Sequence, residues 1–233
     1  MSKTSHHQRL TLRALGALLG YPGAELREAL PAIVSVLHTE RVLKPARLAE
    51  LAALARQLGA MDPFEAEARY VDTFDRGRAT SLHLFEHVHG DSRERGPALV
   101  DLGQTYERAG LVLQGEELPD HLPVVLEFAS TQPDAPAREF LSEMAHILTA
   151  IFSALLQRES PYASVIAAVL ELAGERVQAV PVAPEPEMDE AWAEPPAFDG
   201  CSTRGQARPD TPQPIHIVRK SPSSTTTVQG ASL

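Results

Sequence analysis

The sequence predicts an all-α fold, a single compact multi-helix bundle followed by a Pro-rich tail. From the N-terminus to about Gly174 the apolar residues recur at helical spacing, and almost no segment shows the strict alternation of a half-buried strand. Gly, Pro and N-cap residues interrupt these runs at intervals that suit eight or nine helices joined by short links. Beyond about Val177 the composition turns to proline, an acidic block (EPEMDEAWAE) and a Ser/Thr-rich end (SPSSTTTVQGASL). That shift predicts a helical domain over 1–176 and a flexible, largely disordered tail over 177–233.

Leu12, Leu15, Leu18 and Leu19 form the first stripe, closed by Gly20 and the turn Tyr21-Pro22-Gly23. Leu26, Leu30, Ile33, Val34 and Leu37 form the second; Pro31 lies inside it, where it either kinks the helix or restarts it. Leu48, Leu51, Leu54, Ala55 and Leu58 form the third, up to Gly59. Asp62-Pro63-Phe64-Glu65 then supplies an N-cap, a first-turn proline and a reciprocal carboxylate for a helix through Phe64, Ala68, Val71 and Phe74. Leu99, Leu102, Tyr106 and Ala109 mark a further face ending at Gly110, and Asp120 is expected to cap a helix carrying Leu122, Val125, Leu126 and Ala129. After a loop at Gln132–Pro136 the longest stripe runs through Leu141, Met144, Leu148, Ile151, Phe152 and Leu155, and Ser160-Pro161 opens a last helix through Val165, Ile166, Val169 and Leu170.

The 233 residues are 43% hydrophobic and 22% charged, enough apolar surface for one sizeable core. A net charge of −10 without a separate basic cluster argues against nucleic acid as a partner and favours a basic peptide. The lone Cys201 permits no intrachain disulfide; placed in the tail, away from any helix N-terminus, it reads as a silent thiol. The N-terminus MSKTSHHQRL lacks the apolar core of a signal peptide, and no run is long enough to span a membrane, so the expected compartment is the cytoplasm, without membrane insertion. In the tail, Trp192 and Phe198 either dock as anchors or stay exposed.

The stretch LHLFEHVHG, from Leu82 to Gly90, holds the one pattern suggestive of an enzyme: His83, Glu86 and His87 spell H-x-x-E-H. On a continuous helix the two imidazoles would share a face and Glu86 would activate a metal-bound water, making a zinc-dependent hydrolase the alternative reading. A third ligand is missing from any recognisable pattern, although Glu127, Glu139 and Glu143 lie on later helices. Three fixed positions arise easily by chance, and histidines along a helix edge, with Leu82, Phe85 and Val88 facing the core, are the plainer reading. No phosphate-binding loop, dinucleotide fingerprint or nucleophile elbow is present, so no catalytic residue is assigned and no metal site is expected.

The run YVDTFDRGRATSLHLFEHVHGDSRERGPALVDL, from Tyr70 to Leu102, and ELPDHLPVVLEF, from Glu117 to Phe128, resemble the NarJ family of nitrate reductase assembly chaperones. Weaker resemblance extends from the LGYP turn at Leu19–Pro22 to the DEAWAEPPAF segment, and Pro119-Asp120-His121 is similar to a signature of the wider family of molybdoenzyme chaperones. The resemblance implies an all-helical, non-enzymatic protein that binds the N-terminal segment of the nitrate reductase catalytic subunit, with an adaptor for another molybdoenzyme as the alternative within the wider family. It also implies that the client, not the chaperone, receives bis-molybdopterin guanine dinucleotide and an iron–sulfur cluster, so that no cofactor is stably held here. An amphipathic client peptide would lie in a groove between helices. Tyr70, Phe74, Leu82 and Phe85 are its candidate apolar anchors, each with an alternative as ordinary core, and Asp75, Glu86 and Asp91 are candidate partners for its basic residues. A role for Asp120 and His121 in client binding is carried by the family signature, and His87 is a candidate for tuning affinity with pH.

Overall fold

The computed structural model describes residues 8–90, 92–114 and 117–181. These form ten α-helices: α1 (Arg9–Leu18), α2 (Ala24–Glu40), α3 (Pro45–Ala60), α4 (Pro63–Phe74), α5 (Leu84–His89), α6 (Arg95–Arg108), α7 (Leu122–Thr131), α8 (Asp134–Glu143), α9 (Ala145–Gln157) and α10 (Ala163–Ala173). The all-α expectation is met, with one helix more than the punctuation suggested. Trp192, Phe198, Cys201 and the rest of 182–233 lie outside the described residues, as does Asp91.

Helix α10 is apolar all round: Val165 to Leu170 are without exposure, as a helix with no polar stripe requires. Around it pack α9, α8, α1 and α3, while α1 also lies against α2 and α7. The leucine stripes of α1 and α3 are buried as expected, each large side chain contributing about 2 kcal/mol by leaving water. Among the described residues no single helix is long and apolar enough to cross a membrane.

One open alternative closes and three local expectations change. Pro31 does not restart α2, which runs unbroken from Ala24 to Glu40. The core face of α4 is Ala66, Tyr70 and Phe74, whereas Phe64 is 81% exposed, and Glu65 pairs with Arg69 rather than closing a capping box. The longest stripe is two helices: α8 begins at Asp134, inside the expected loop, and meets α9 at a 67° bend about Met144. Leu141, Leu148, Ile151 and Leu155 are nevertheless all fully buried, so the bend wraps one continuous apolar stripe around α10. Past α10 the chain stays on the bundle through Val177, which packs against the core, and Val180, whose amide donates to Ser153 Oγ.

Several helix ends are capped from a distance. Glu40, at the end of α2, accepts from the amides of Leu10 and Thr11 at the start of α1. The Arg27 guanidinium donates to the carbonyls of Leu58 and Met61, satisfying the end of α3. Among the described helices only that of Asp62 is capped by its own N-cap side chain, which accepts from the amides of Phe64 and Glu65.

Candidate functional site

Two segments that carry the family resemblance meet directly. Residues 82–84 and 120–122 pair as a short antiparallel bridge, with Leu122 N donating to Leu82 O (2.9 Å) and Leu84 N to Asp120 O (3.1 Å). Helix α5 starts immediately afterwards and has six residues, too few to be stable alone. Its first turn is held by Asp120, whose Oδ2 accepts from Phe85 N at 3.0 Å. Asp120 therefore caps α5, not its own helix. The N-cap of α7 is His121, which makes no side-chain cap, and Pro123 in that first turn has no amide hydrogen to satisfy.

The Asp120 carboxylate is completely buried, so its charge must be answered by neighbours. His83 Nδ1 stands 3.4 Å from Oδ1 and Arg95 Nη2 3.9 Å from Oδ2. Burial alone would push the Asp120 carboxyl up, but the hydrogen bonds from His83 and the Phe85 amide and the nearby charges outweigh it and hold the group below its ordinary value. The same hydrogen bond raises His83 against the opposing effect of its own burial. Stacked on His83 at 5.0 Å is the ring of His121. Burial, aided by the neighbouring His83 charge, pushes His121 down, although its Nδ1 lies 3.0 Å from Glu117 Oε2. One imidazole of the pair is thus favoured as a cation and the other as a neutral ring.

The H-x-x-E-H residues do not converge. His83 precedes α5 in extended backbone and faces Asp120. His87 Nε2 contacts Ser81 O at 2.9 Å, and Glu86 accepts from Ser81 Oγ and pairs with Arg95 at 3.1 Å. Among the described residues no three His, Cys, Asp or Glu side chains are grouped to hold a metal. The helix also begins later than expected: Leu82 and Leu84 are the core residues, while Val88, expected to be buried, is 52% exposed.

Tyr70, Phe74 and Leu82 lie in the core, so as candidate peptide anchors they offer no surface in this conformation. Tyr70 donates to Leu19 O at 2.8 Å and packs with Tyr21, Phe74 and Tyr162, tying α4 to α1 and α10. Phe85 is half-buried and borders a groove, Glu86 and His87 are tied to Ser81, and Asp75 is exposed at the end of α4.

Two grooves flank the bridge. The first, of about 630 Å³, lies between α1, α2 and α7. Its floor is made of small and medium residues, among them Ala14, Gly16, Ala17, Ala29, Ile33 and Val36, and its rim carries Arg13, Glu117, His121 and Glu127. Gly16 lies close against α7 there, where a Cβ would stand 3.4 Å from Pro123 O. Alanine and glycine give no apolar stripe in a sequence, so this floor escaped the sequence reading; Ala14 with Ala17 on α1, and Gly16 with Gly20 just past its end, at three- and four-residue spacing, are the signal that was available. The second groove, also about 630 Å³, lies between α5, α6, α8 and α9, with Phe85 and Phe140 at its floor.

The family model for the nitrate reductase delta subunit matches residues 40–168, which include both segments of the bridge. The chain belongs to the nitrate reductase delta subunit family. The nitrate reductase molybdenum cofactor assembly chaperone NarJ of Escherichia coli K12 is 42% identical over 209 residues, covering 90% of this chain and 81% of that protein. A Bacillus subtilis 168 protein of the same designation is 31% identical over 175 residues, covering 72% and 92%. A crystal structure described as a redox enzyme maturation protein from Archaeoglobus fulgidus shares the fold, with TM-score 0.50 and 18% identity over 72% of this chain and 94% of that one. Both curated relatives are named as assembly chaperones rather than catalysts, and His83, Glu86 and His87 do not converge, so the hydrolase reading of these residues is withdrawn.

Proposed function

We propose that this protein is a cytoplasmic, client-specific chaperone that binds the N-terminal segment of the nitrate reductase catalytic subunit. It holds that subunit while the molybdenum cofactor and an iron–sulfur cluster are inserted, before assembly at the membrane. The observation that carries the reading is the first groove. Its floor of alanines and glycines lets a helical backbone approach closely, Ile33 and Val36 offer apolar contacts, and Glu117 and Glu127 stand at the rim for basic residues of the client. Its volume lies within the range of ligand clefts, roughly 300–1,000 Å³. Glu117 and His121 belong to the ELPDHLP segment that carries part of the family resemblance, which supports placing the client there.

The test is maturation in a host lacking its own chaperone. With this protein co-expressed, the catalytic subunit should acquire molybdenum and nitrate-reducing activity that it lacks otherwise. A subunit equally loaded without the protein, or still empty in its presence, would refute the proposal.

A further inference from the structure

We propose that a third cleft, between α3, α4 and the turn from α9 to α10, binds a small molecule that carries a phosphate ester beside an aromatic or apolar group. The cleft has a volume of about 450 Å³, shares no residue with the two grooves described above and is independent of the client. Its inner wall is apolar: Leu54 and Leu58 of α3, Ala66 of α4 and Tyr162 are buried there. The Tyr162 hydroxyl points to a ligand. Tyr162 is 5% exposed, and its oxygen has no hydrogen-bond partner among the described residues. An unpaired buried hydroxyl costs stability and is rare in folded chains, so this one calls for an acceptor. The ring is held in place by Phe74, edge-on at 4.9 Å, and by Tyr70 at 6.2 Å. Burial pushes the phenol's pKa up, so the group stays protonated and able to donate.

The mouth of the cleft is basic in an otherwise acidic protein. Arg69 on α4, Arg76 just past its end and Arg158 just past α9 line it, against the carboxylates of Asp72 and Glu159. Arg69 pairs with Glu65 at 2.7 Å and Arg76 with Asp72 at 3.3 Å, each between side chains more than half exposed, while Arg158 Nη1 donates to Asp72 O at 3.0 Å. Exposed pairs of this kind contribute little, and each guanidinium carries five N–H donors, so a phosphate can recruit them without a large loss elsewhere. The turn that brings Arg158 and Tyr162 to one cleft is tight: Glu159 adopts left-handed backbone at φ 51°, and the Ser160 amide closes on Leu155 O at 2.9 Å. Guanidinium groups match the oxygens of a phosphate in charge and in geometry. The apolar wall behind them suits a ring or short hydrocarbon portion, and the Tyr162 hydroxyl supplies a neutral donor between the two halves.

The test titrates the full chain, its Arg69→Gln/Arg76→Gln variant and its Tyr162→Phe variant with phenyl phosphate, inorganic phosphate and benzoate in a phosphate-free buffer of low salt. Phenyl phosphate should bind one-to-one and about tenfold more tightly than either other probe, because only it offers both the doubly charged group and the ring. The arginine variant should weaken it about tenfold, and added salt should narrow that difference. Tyr162→Phe should weaken it about threefold while leaving the urea midpoint at or above that of wild type, since no hydrogen bond within the protein is lost. Absence of saturable phenyl phosphate binding, or binding unchanged in both variants, would overturn the proposal. Equal affinity for benzoate would also overturn it, by making the site one for carboxylates. A fall in the urea midpoint of Tyr162→Phe would do the same, by showing that the hydroxyl serves the fold.

Discussion

The two grooves have similar volumes and opposite character. In the first, the rim charges already have partners on the protein, Glu127 with Arg13 at 3.7 Å and Glu117 with His121 at 3.0 Å, above a floor of small residues. In the second the floor is aromatic and the carboxylates of Asp101, Glu139 and Glu143 have no ion-pair partner among the described residues. The difference teaches that similar volumes can present unlike surfaces: the small residues of the first groove leave room for a backbone to approach closely, whereas the second presents negative charge without an ion-pair partner among the described residues. Between them stands Asp120, which fixes α5 on one side and, through the bridge at His121, the start of α7 on the other.

Breaking that strut should have the largest effect. Asp120→Ala leaves His83 and Arg95 without their buried counter-charge and the Phe85 amide without an acceptor, and should cost about 3 kcal/mol in urea denaturation. Asp120→Asn keeps an acceptor for that amide and should lose less. If Asp120→Ala is as stable as wild type, the strut is not a strut.

Filling the first groove sharpens the comparison next. Ala17 is exposed on its floor, so Ala17→Trp should leave stability within about 0.5 kcal/mol while weakening the N-terminal client peptide at least about tenfold. A smaller loss, about threefold and only at low salt, is expected for Glu117→Gln/Glu127→Gln, because exposed pairs contribute little.

The smallest effect is on pH dependence. The folded state raises His83, so its contribution to stability is fully present below the unfolded value of about 6.5 and fades as pH rises through the folded one. His121 is lowered, so its contribution has the opposite sign and is lost as pH falls from about 6.5 toward its folded value. Asp120, lowered from the ordinary carboxylate range, stays ionised throughout that window. The stability gap between wild type and His83→Gln should therefore narrow as pH rises above about 6.5. A gap that widens would contradict the charge assignment within the stacked pair.

What the sequence could reveal follows from how local each interaction is. The leucine stripes of α1 and α3 and the Asp62 cap depend on neighbours within a few positions and were legible. The caps supplied by Glu40, Arg27 and Asp120 join residues 29, 31 and 35 positions apart, and no pattern announces them. Asp120 misled for this reason: it sits where a local cap is expected and serves another helix. The bend at Met144 was also hidden, because neither glycine nor proline marks it. Of the candidate site residues, Phe85 and His121 reach a groove, whereas Tyr70, Phe74 and Leu82 were apolar residues at helical spacing doing what such residues most often do.

The central claim is that the first groove captures the client's N-terminus. Calorimetric titration of wild type and Ala17→Trp with a synthetic peptide of the nitrate reductase catalytic subunit's N-terminus tests it directly. Saturable one-to-one binding to wild type that is largely lost in the variant, with both proteins folded, is the predicted result. Equal binding by both, or none by folded wild type, would contradict it.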